Sequence, residues 1–238
     1  MRFFDPGFND RVRAFREAVV EWYRSHGDKS LPWRAARDPW HVLVAAFLLR
    51  RTTKSQVVKV YEEFLKRYPS PGALLSAGED EVRELIRPLG LEHARARQLK
   101  ELAEQIERRF GGRVPCSREE LKELPGVGDY AASEVLLAAC GRPEPLLDTN
   151  MIRVIERVFG VRSTRRRPHR DPRLWDFARA LVPSDPLLAR EFNYGVFDIA
   201  RKYCRARSPK CTGCPLTHVC DYYSRLERSP RAPRSGGT

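Results

Sequence analysis

The chain has 238 residues, 42% of them hydrophobic and 10% aromatic, enough to bury a core in one large domain or two small ones and too many for wholesale disorder. Its 44 basic and 31 acidic side chains leave a net charge of +13, which points to a polyanionic partner such as nucleic acid or, alternatively, to no more than a solvated basic surface. No apolar run approaches the roughly 20 residues that span a bilayer, and Met1-Arg-Phe-Phe-Asp-Pro lacks an extended apolar stretch, so the expectation is a soluble, cytoplasmic, non-secreted protein with no membrane partner.

Helical periodicity runs through nearly the whole chain. Val12, Phe15, Val19 and Trp22 recur at i, i+3, i+7 and i+10 as one apolar stripe. The apolar run from Val42 to Leu49 ends at Arg50-Arg51 and reads as a core helix. Val57, Val58, Tyr61, Phe64, Leu65 and Tyr68 form the next stripe, then Val82, Leu85, Ile86 and Leu89, then Leu99, Leu102, Ile106 and Phe110. Prolines and Gly111-Gly112 punctuate them. No run alternates as a strand would, so the predicted fold class is all-α. Cys116 and Cys140 stand apart from the other cysteines and read as ordinary small hydrophobes.

Helices are predicted over 118–124 and 129–140, joined by Leu124-Pro-Gly-Val-Gly128. Glycine at 126 and 128 lets the backbone turn tightly and approach a ligand with no Cβ in the way. The N–H groups around Gly126, Val127 and Gly128, at the start of the next helix, can hold a phosphate. Such a hairpin grips a DNA backbone without reading its sequence; an ordinary helical turn with glycine caps is the alternative. Asp148 follows Leu146-Leu147 and precedes a helix over 150–159 with the stripe Ile152, Ile155 and Phe159. Its position is that of an N-cap, and the helix dipole and donors would keep it ionised, as stabilising a cation requires. Arg153 and Arg157 share one face of that helix, suited to phosphate or equally to solvent.

A proline-marked loop follows with Arg162, Arg165, Arg166, Arg167, Arg170 and Arg173 against Asp171 alone, and then helices over 173–181 and 187–203. Cys204, Cys211, Cys214 and Cys220 form a C-x6-C-x2-C-x5-C pattern. Four thiolates so clustered, with no export signal, argue for a metal centre over disulfides. Zinc usually presents two close pairs. Here only the middle pair is close, and the wider outer spacings suit a structural 4Fe-4S cluster with one thiolate per iron; zinc and unliganded thiols are the alternatives. Lys202, Arg205, Arg207 and Lys210 surround the first two cysteines, and residues 224–238 read as a disordered tail.

Three motifs in this order, Leu124-Pro-Gly-Val-Gly128, Asp148 and the four-cysteine loop, resemble the helix-hairpin-helix DNA glycosylases of the endonuclease III superfamily, over roughly residues 10–223. The resemblance implies a two-domain fold. A six-helix barrel over 32–142 carries the hairpin, and an iron–sulfur domain is formed by 1–31 and 143–223, with the substrate pocket between them. It also implies Asp148 as the catalytic carboxylate, the hairpin as a DNA clamp, Cys204, Cys211, Cys214 and Cys220 as ligands of a 4Fe-4S cluster, and a nucleoid-associated monomer. Its partner would be double-stranded DNA containing a mismatched or damaged base.

Strand-cleaving members carry a lysine six residues past the hairpin leucine, where this chain has Tyr130. A phenol, with an ordinary pKa of about 10, forms no Schiff base, so the resemblance implies a monofunctional enzyme that leaves an intact abasic strand. Tyr130, Pro32-Trp33-Arg34, Arg37-Asp38-Pro39 and Leu48-Leu-Arg-Arg-Thr-Thr53 resemble the branch that acts on thymine and uracil in G·T and G·U mispairs; Asp148-x-Asn150 fits that branch and the adenine-mismatch glycosylases alike. Arg50, Arg51 and Thr52 align with the loop that fills the space left by the flipped base, a polar helix end being the alternative. Trp40 and His41 are candidates for stacking on the base or for packing. One position departs: both branches carry glutamate where this chain has Ala46. In adenine glycosylases that glutamate protonates the leaving purine, and a general acid contributes about 100- to 10,000-fold, so Ala46 argues against adenine excision. The reading is thymine or uracil release; the alternatives are another damaged base, or a non-catalytic iron–sulfur DNA-binding protein.

Overall fold

The structure, a computed structural model, describes residues 6–228. Its helices are α1 (Pro6–His26), α2 (Pro32–Ala35), α3 (Pro39–Leu48), α4 (Lys54–Arg67), α5 (Pro71–Ser76), α6 (Glu79–Ile86), α7 (Glu92–Phe110), α8 (Arg118–Glu123), α9 (Asp129–Ala138), α10 (Thr149–Phe159), α11 (Pro172–Leu181), α12 (Pro186–Lys202) and α13 (Asp221–Arg228). Among the described residues there is no strand, so the all-α expectation holds. No helix among them is long and apolar enough to cross a membrane.

Several helix starts obey one local rule. Asp38, Ser70 and Asp171 each precede a proline, which supplies a fixed φ where its missing N–H is no loss. Their side-chain oxygens accept first-turn N–H groups: Asp38 from Trp40 at 2.8 Å and His41 at 3.1 Å, Ser70 from Ala73 at 3.2 Å, Asp171 from Arg173 at 3.0 Å.

The described chain divides into two compact units, a central one of residues 28–146 with 184–190 and a terminal one of 6–27, 147–183 and 191–228. In the central unit α3 is buried on nearly every side, as its apolar composition demands. It packs against α4, α7 and α9, with Leu43, Val44, Phe47 and Leu48 joining Phe64, Leu99, Ala132 and Val135 in one core. Cys116 and Cys140 correct the expectation of two separate hydrophobes: they form a disulfide with Cα atoms 5.7 Å apart. The cause is geometric, since α8 and α9 pack together and bring the chain that follows them back to the chain that precedes them.

The terminal unit is built on aromatic edges. Phe15 meets Phe159 at 5.2 Å and Phe192 at 5.5 Å, and Phe159 meets Phe177 at 5.4 Å, in the edge-to-face geometry that favours ring pairs. The α1 stripe of Val12, Phe15, Val19 and Trp22 is buried throughout. At Gly195 of α12 a Cβ would lie 2.8 Å from Val19 Cγ1 and 2.9 Å from the Val19 carbonyl, so glycine is what lets α1 and α12 touch. The tail expectation is corrected in part. Residues 224–228 continue α13, which packs on α10 and is held by Asp221 pairing with Arg11 at 2.6 Å. Residues 229–238 lie outside the described residues.

Candidate functional site

In the central unit the turn Leu124–Gly128 sits between α8 and α9. Gly126 has φ +76°, and a Cβ there would stand 3.1 Å from Phe47 Cζ and from Arg50 Nη1, so conformation and close approach both require glycine. Gly128 differs from the expectation: its φ of −97° is open to any residue, and nothing lies within 4 Å of where its Cβ would be. What glycine provides at 128 is open space at the start of α9. Val127 is buried and its N–H is used by the Leu124 carbonyl at 3.1 Å, whereas the N–H groups of exposed Gly126 and Gly128 bond to no other described residue. Behind the turn Arg118 bonds Ser133 Oγ at 2.9 Å and Glu144 at 2.9 Å, and Lys122 pairs with Asp129 at 2.8 Å, fixing α8 on α9. Tyr130 occupies the first turn of α9, half-buried.

The loop after α3 is joined to this turn. Arg50 stacks on the Phe47 ring at 3.7 Å and donates from Nη2 to the Gly126 carbonyl at 2.6 Å. Thr52 donates its hydroxyl to the Leu48 carbonyl, and Arg51 is exposed in a left-handed conformation with φ +52°. The organiser is Arg95 on α7, which is buried and donates to the carbonyls of Phe47 at 2.6 Å and Arg50 at 3.0 Å. Sequence reasoning missed Arg95. Its signal was there, since Arg95 stands four residues before Leu99 on an otherwise apolar stripe, a position where a charge must find buried partners. Arg95→Met is expected to lower the unfolding free energy by about 3 kcal/mol, the charge-assisted hydrogen bonds to the Phe47, Leu48 and Arg50 carbonyls being lost. Denaturant titration checks this, and a change below about 1 kcal/mol would mean that the loop holds its shape without Arg95. Trp40 is a packing residue, buried with Nε1 on the Tyr68 carbonyl at 3.0 Å, while the His41 carbonyl accepts Tyr61 Oη at 3.1 Å. Ala46 is buried on α3.

In the terminal unit Asp148 caps α10. Its Oδ1 accepts the N–H groups of Asn150 at 2.8 Å and Met151 at 2.9 Å, and Oδ2 accepts Asn150 Nδ2 at 2.6 Å. Burial pushes its carboxyl pKa up, against the pull of these donors and of Arg153, so the environment penalises the charge that the cap alone was expected to secure. Arg153 then donates to Asn150 Oδ1 at 2.9 Å and to the Cys204 carbonyl at 2.6 Å. A continuous chain of bonds thus runs from the Asp148 carboxylate through Asn150 and Arg153 to the first clustered cysteine. Arg157, one turn on, donates to the Arg205 carbonyl at 2.6 Å and the Ala206 carbonyl at 3.1 Å and lies 3.4 Å from Cys204 Sγ. Both arginines brace the cysteine segment, a use that their helical face alone does not reveal.

Cys204, Cys211, Cys214 and Cys220 line one pocket, with Tyr203, Leu216, Tyr222 and Arg157. No three His, Cys, Asp or Glu side chains among the described residues converge as a site for a single metal ion. Burial and the neighbouring sulfurs push the Cys214 thiol up to about 12 and raise Cys211 and Cys220 as well. These groups stay neutral thiols unless a cationic centre displaces their protons, and four sulfur donors on one apolar-walled pocket fit an iron–sulfur cluster.

The family of HhH-GPD superfamily base excision DNA repair proteins matches residues 44–179. The chain is 66% identical over 224 residues to the thymine-DNA glycosylase of Aeropyrum pernix, covering 94% of this chain and 99% of that one. It is 64% identical over 215 residues to the thymine/uracil-DNA glycosylase of Pyrobaculum aerophilum, covering 90% and 94%. A solved structure of a thermostable thymine-DNA glycosylase matches with a TM-score of 0.85 at 35% identity, covering 91% of this chain and 98% of that one.

Proposed function

Because the chain belongs to the HhH-GPD superfamily of base excision DNA repair proteins, we propose that it is a monofunctional DNA glycosylase, acting as a monomer, that releases mismatched thymine or uracil from G·T and G·U pairs in duplex DNA. The observation that carries this reading is likeness along nearly the entire length to the thymine- and thymine/uracil-DNA glycosylases.

The residues take the following roles. A mispaired pyrimidine leaves the stack at a lower cost than a paired one. As the N-glycosidic bond breaks, its electron pair departs with the base, and the Asp148 carboxylate stabilises oxocarbenium character at the anomeric carbon. Water adds there, and its proton passes to solvent or to the departing base. Tyr130 has no amine to form an imine with the sugar, so the strand stays intact. The free N–H groups of Gly126 and Gly128 receive a backbone phosphate. Arg51, exposed beside an Arg50 that is already engaged, is the side chain we assign to the space the base vacates. Ala46 puts no general acid at the position where the adenine-mismatch glycosylases carry glutamate, which suits a pyrimidine and not a purine that must be protonated to leave.

Cys204, Cys211, Cys214 and Cys220 would hold a 4Fe-4S cluster, which supplies thiolate–iron bonds that tie down a segment with little core of its own. Through Arg153 that segment supports Asn150 and, with it, Asp148. Cys214→Ser is expected to lose most of the bound iron and sulfide and to unfold at lower temperature, with metal analysis and thermal melts as the readouts; a stable, colourless native protein holding zinc would contradict the assignment.

The substrate is tested with duplexes carrying G·T, G·U, adenine opposite 8-oxoguanine, and oxidised pyrimidines. Release from the first two alone is expected. Release confined to the oxidised bases would shift the reading to a damaged-base glycosylase, and release of adenine would refute the role given to Ala46.

A further inference from the structure

We propose that the arginine loop at 162–173 is a phosphate-binding surface that holds the backbone of duplex DNA without reading sequence, adding a second grip to that of the hairpin. The identity of the partner rests on the glycosylase reading. The loop carries six arginines, Arg162, Arg165, Arg166, Arg167, Arg170 and Arg173, all of them exposed. Its one carboxylate is withdrawn from the surface: Asp171 is buried and its oxygens accept Ser163 Oγ at 2.6 Å and the Arg173 N–H at 3.0 Å. The outer face is therefore wholly cationic.

These charges are also unspent. Six other arginines of the terminal unit are committed to protein partners: Arg11 to Asp221, Arg16 to the Leu181 carbonyl, Arg24 to Glu191, Arg153 and Arg157 to the cysteine segment, Arg179 to Asp176. In the loop only Arg165 is tied by its side chain, to the Arg170 carbonyl at 3.3 Å. The guanidinium groups of Arg162, Arg166, Arg167 and Arg170 have no partner among the described residues, while the charge of Arg173 acts on Asp171. Helix electrostatics do not account for Arg170, which directly precedes the N-cap of α11, the end of a helix where cations are disfavoured. The loop is nevertheless shaped: the Arg170 N–H bonds the Arg167 carbonyl at 2.9 Å, and Trp175 Nε1 bonds the His169 carbonyl at 2.9 Å. Like-charged groups held close together in a shaped loop favour a ligand of closely spaced negative charge. A guanidinium binds a phosphate through two parallel N–H groups, and a duplex presents phosphates in regular rows.

The test is duplex affinity against salt for the native protein and for R162Q/R166Q/R167Q, whose side chains make no contacts that folding would miss. Each lost phosphate contact lowers the slope of log affinity against log salt by about 1. The triple variant should therefore lose about 2 to 3 from the steepness of the slope, equally on matched and G·T duplexes. R179Q removes a paired surface arginine of the same unit and should leave the slope near the native value. An unchanged slope in the triple variant would leave these arginines to an acidic protein surface and overturn the proposal, as would a loss confined to the G·T duplex. Binding is read independently of excision, so failure of the native protein to release any base would count against the glycosylase reading and not against this surface.

Discussion

Asp148→Asn is expected to slow base release by about 100- to 1000-fold while duplex affinity stays within a few-fold of native. Asparagine keeps an oxygen at the position that accepts the Asn150 and Met151 N–H groups, so the cap on α10 survives, and the change removes the charge together with the bond that Oδ2 accepts from Asn150 Nδ2. That charge is held at a cost, because burial raises the Asp148 pKa despite three hydrogen bonds and the nearby Arg153. Two pH effects of opposite sign follow. Base release needs the carboxylate, so it falls as pH is lowered through the folded-state pKa, which lies above the ordinary aspartate value. Folding is favoured by the neutral form: with the folded pKa above the unfolded one, the contribution to stability is present below the unfolded pKa and is lost as pH rises through the folded pKa. The melting temperature of the native protein should therefore rise relative to that of the Asn variant as pH falls. A variant that keeps full activity, or that loses activity only in step with stability, would reduce Asp148 to a structural cap.

Removing the disulfide should have the largest effect on stability. The Cys116–Cys140 bond closes 24 residues of sequence separation that contain α8, the hairpin and α9 entire. A cross-link over a loop of this length restricts the unfolded chain by about 3.5 kcal/mol in the chain-entropy treatment. Cys116→Ser with Cys140→Ser is expected to lower the melting temperature by about 10 °C for a chain of this size. Because Gly126 and Gly128 lie inside the closed loop, local opening of the hairpin should rise with it, seen as faster amide exchange at α8 and α9 and little change at α10. Equal melting of the oxidised protein and the double variant would mean that packing alone holds the hairpin.

What the sequence disclosed was what short-range chemistry determines. The α1 stripe, the proline-started helices, the Asp148 cap and the positive φ at Gly126 all follow from residues within a turn or two of one another. What it concealed depends on distant partners. Arg50 reaches across to the Gly126 carbonyl, and Arg95 collects carbonyls of the loop after α3, neither of which leaves a periodic trace. Arg153 and Arg157 occupy a helical face that local rules assign to solvent, yet a segment about 50 residues on covers them. The Cys116–Cys140 pair has no motif, and only the packing of α8 on α9 brings the two together. The helical 224–228 stretch was hidden because its support comes from Arg11 and α10 at the far side of the sequence. The upward push on the Asp148 pKa was hidden for the same reason: donors are local and legible, whereas burial is set by the whole fold.

The most direct test of the account is a single incubation of native protein with a G·T duplex, reading free thymine and strand length before and after alkali. The account predicts thymine released in step with abasic sites, a full-length strand until alkali is added, and no protein trapped on DNA by borohydride. A strand nicked without alkali together with a borohydride-trapped adduct, or the absence of any free thymine, would contradict it.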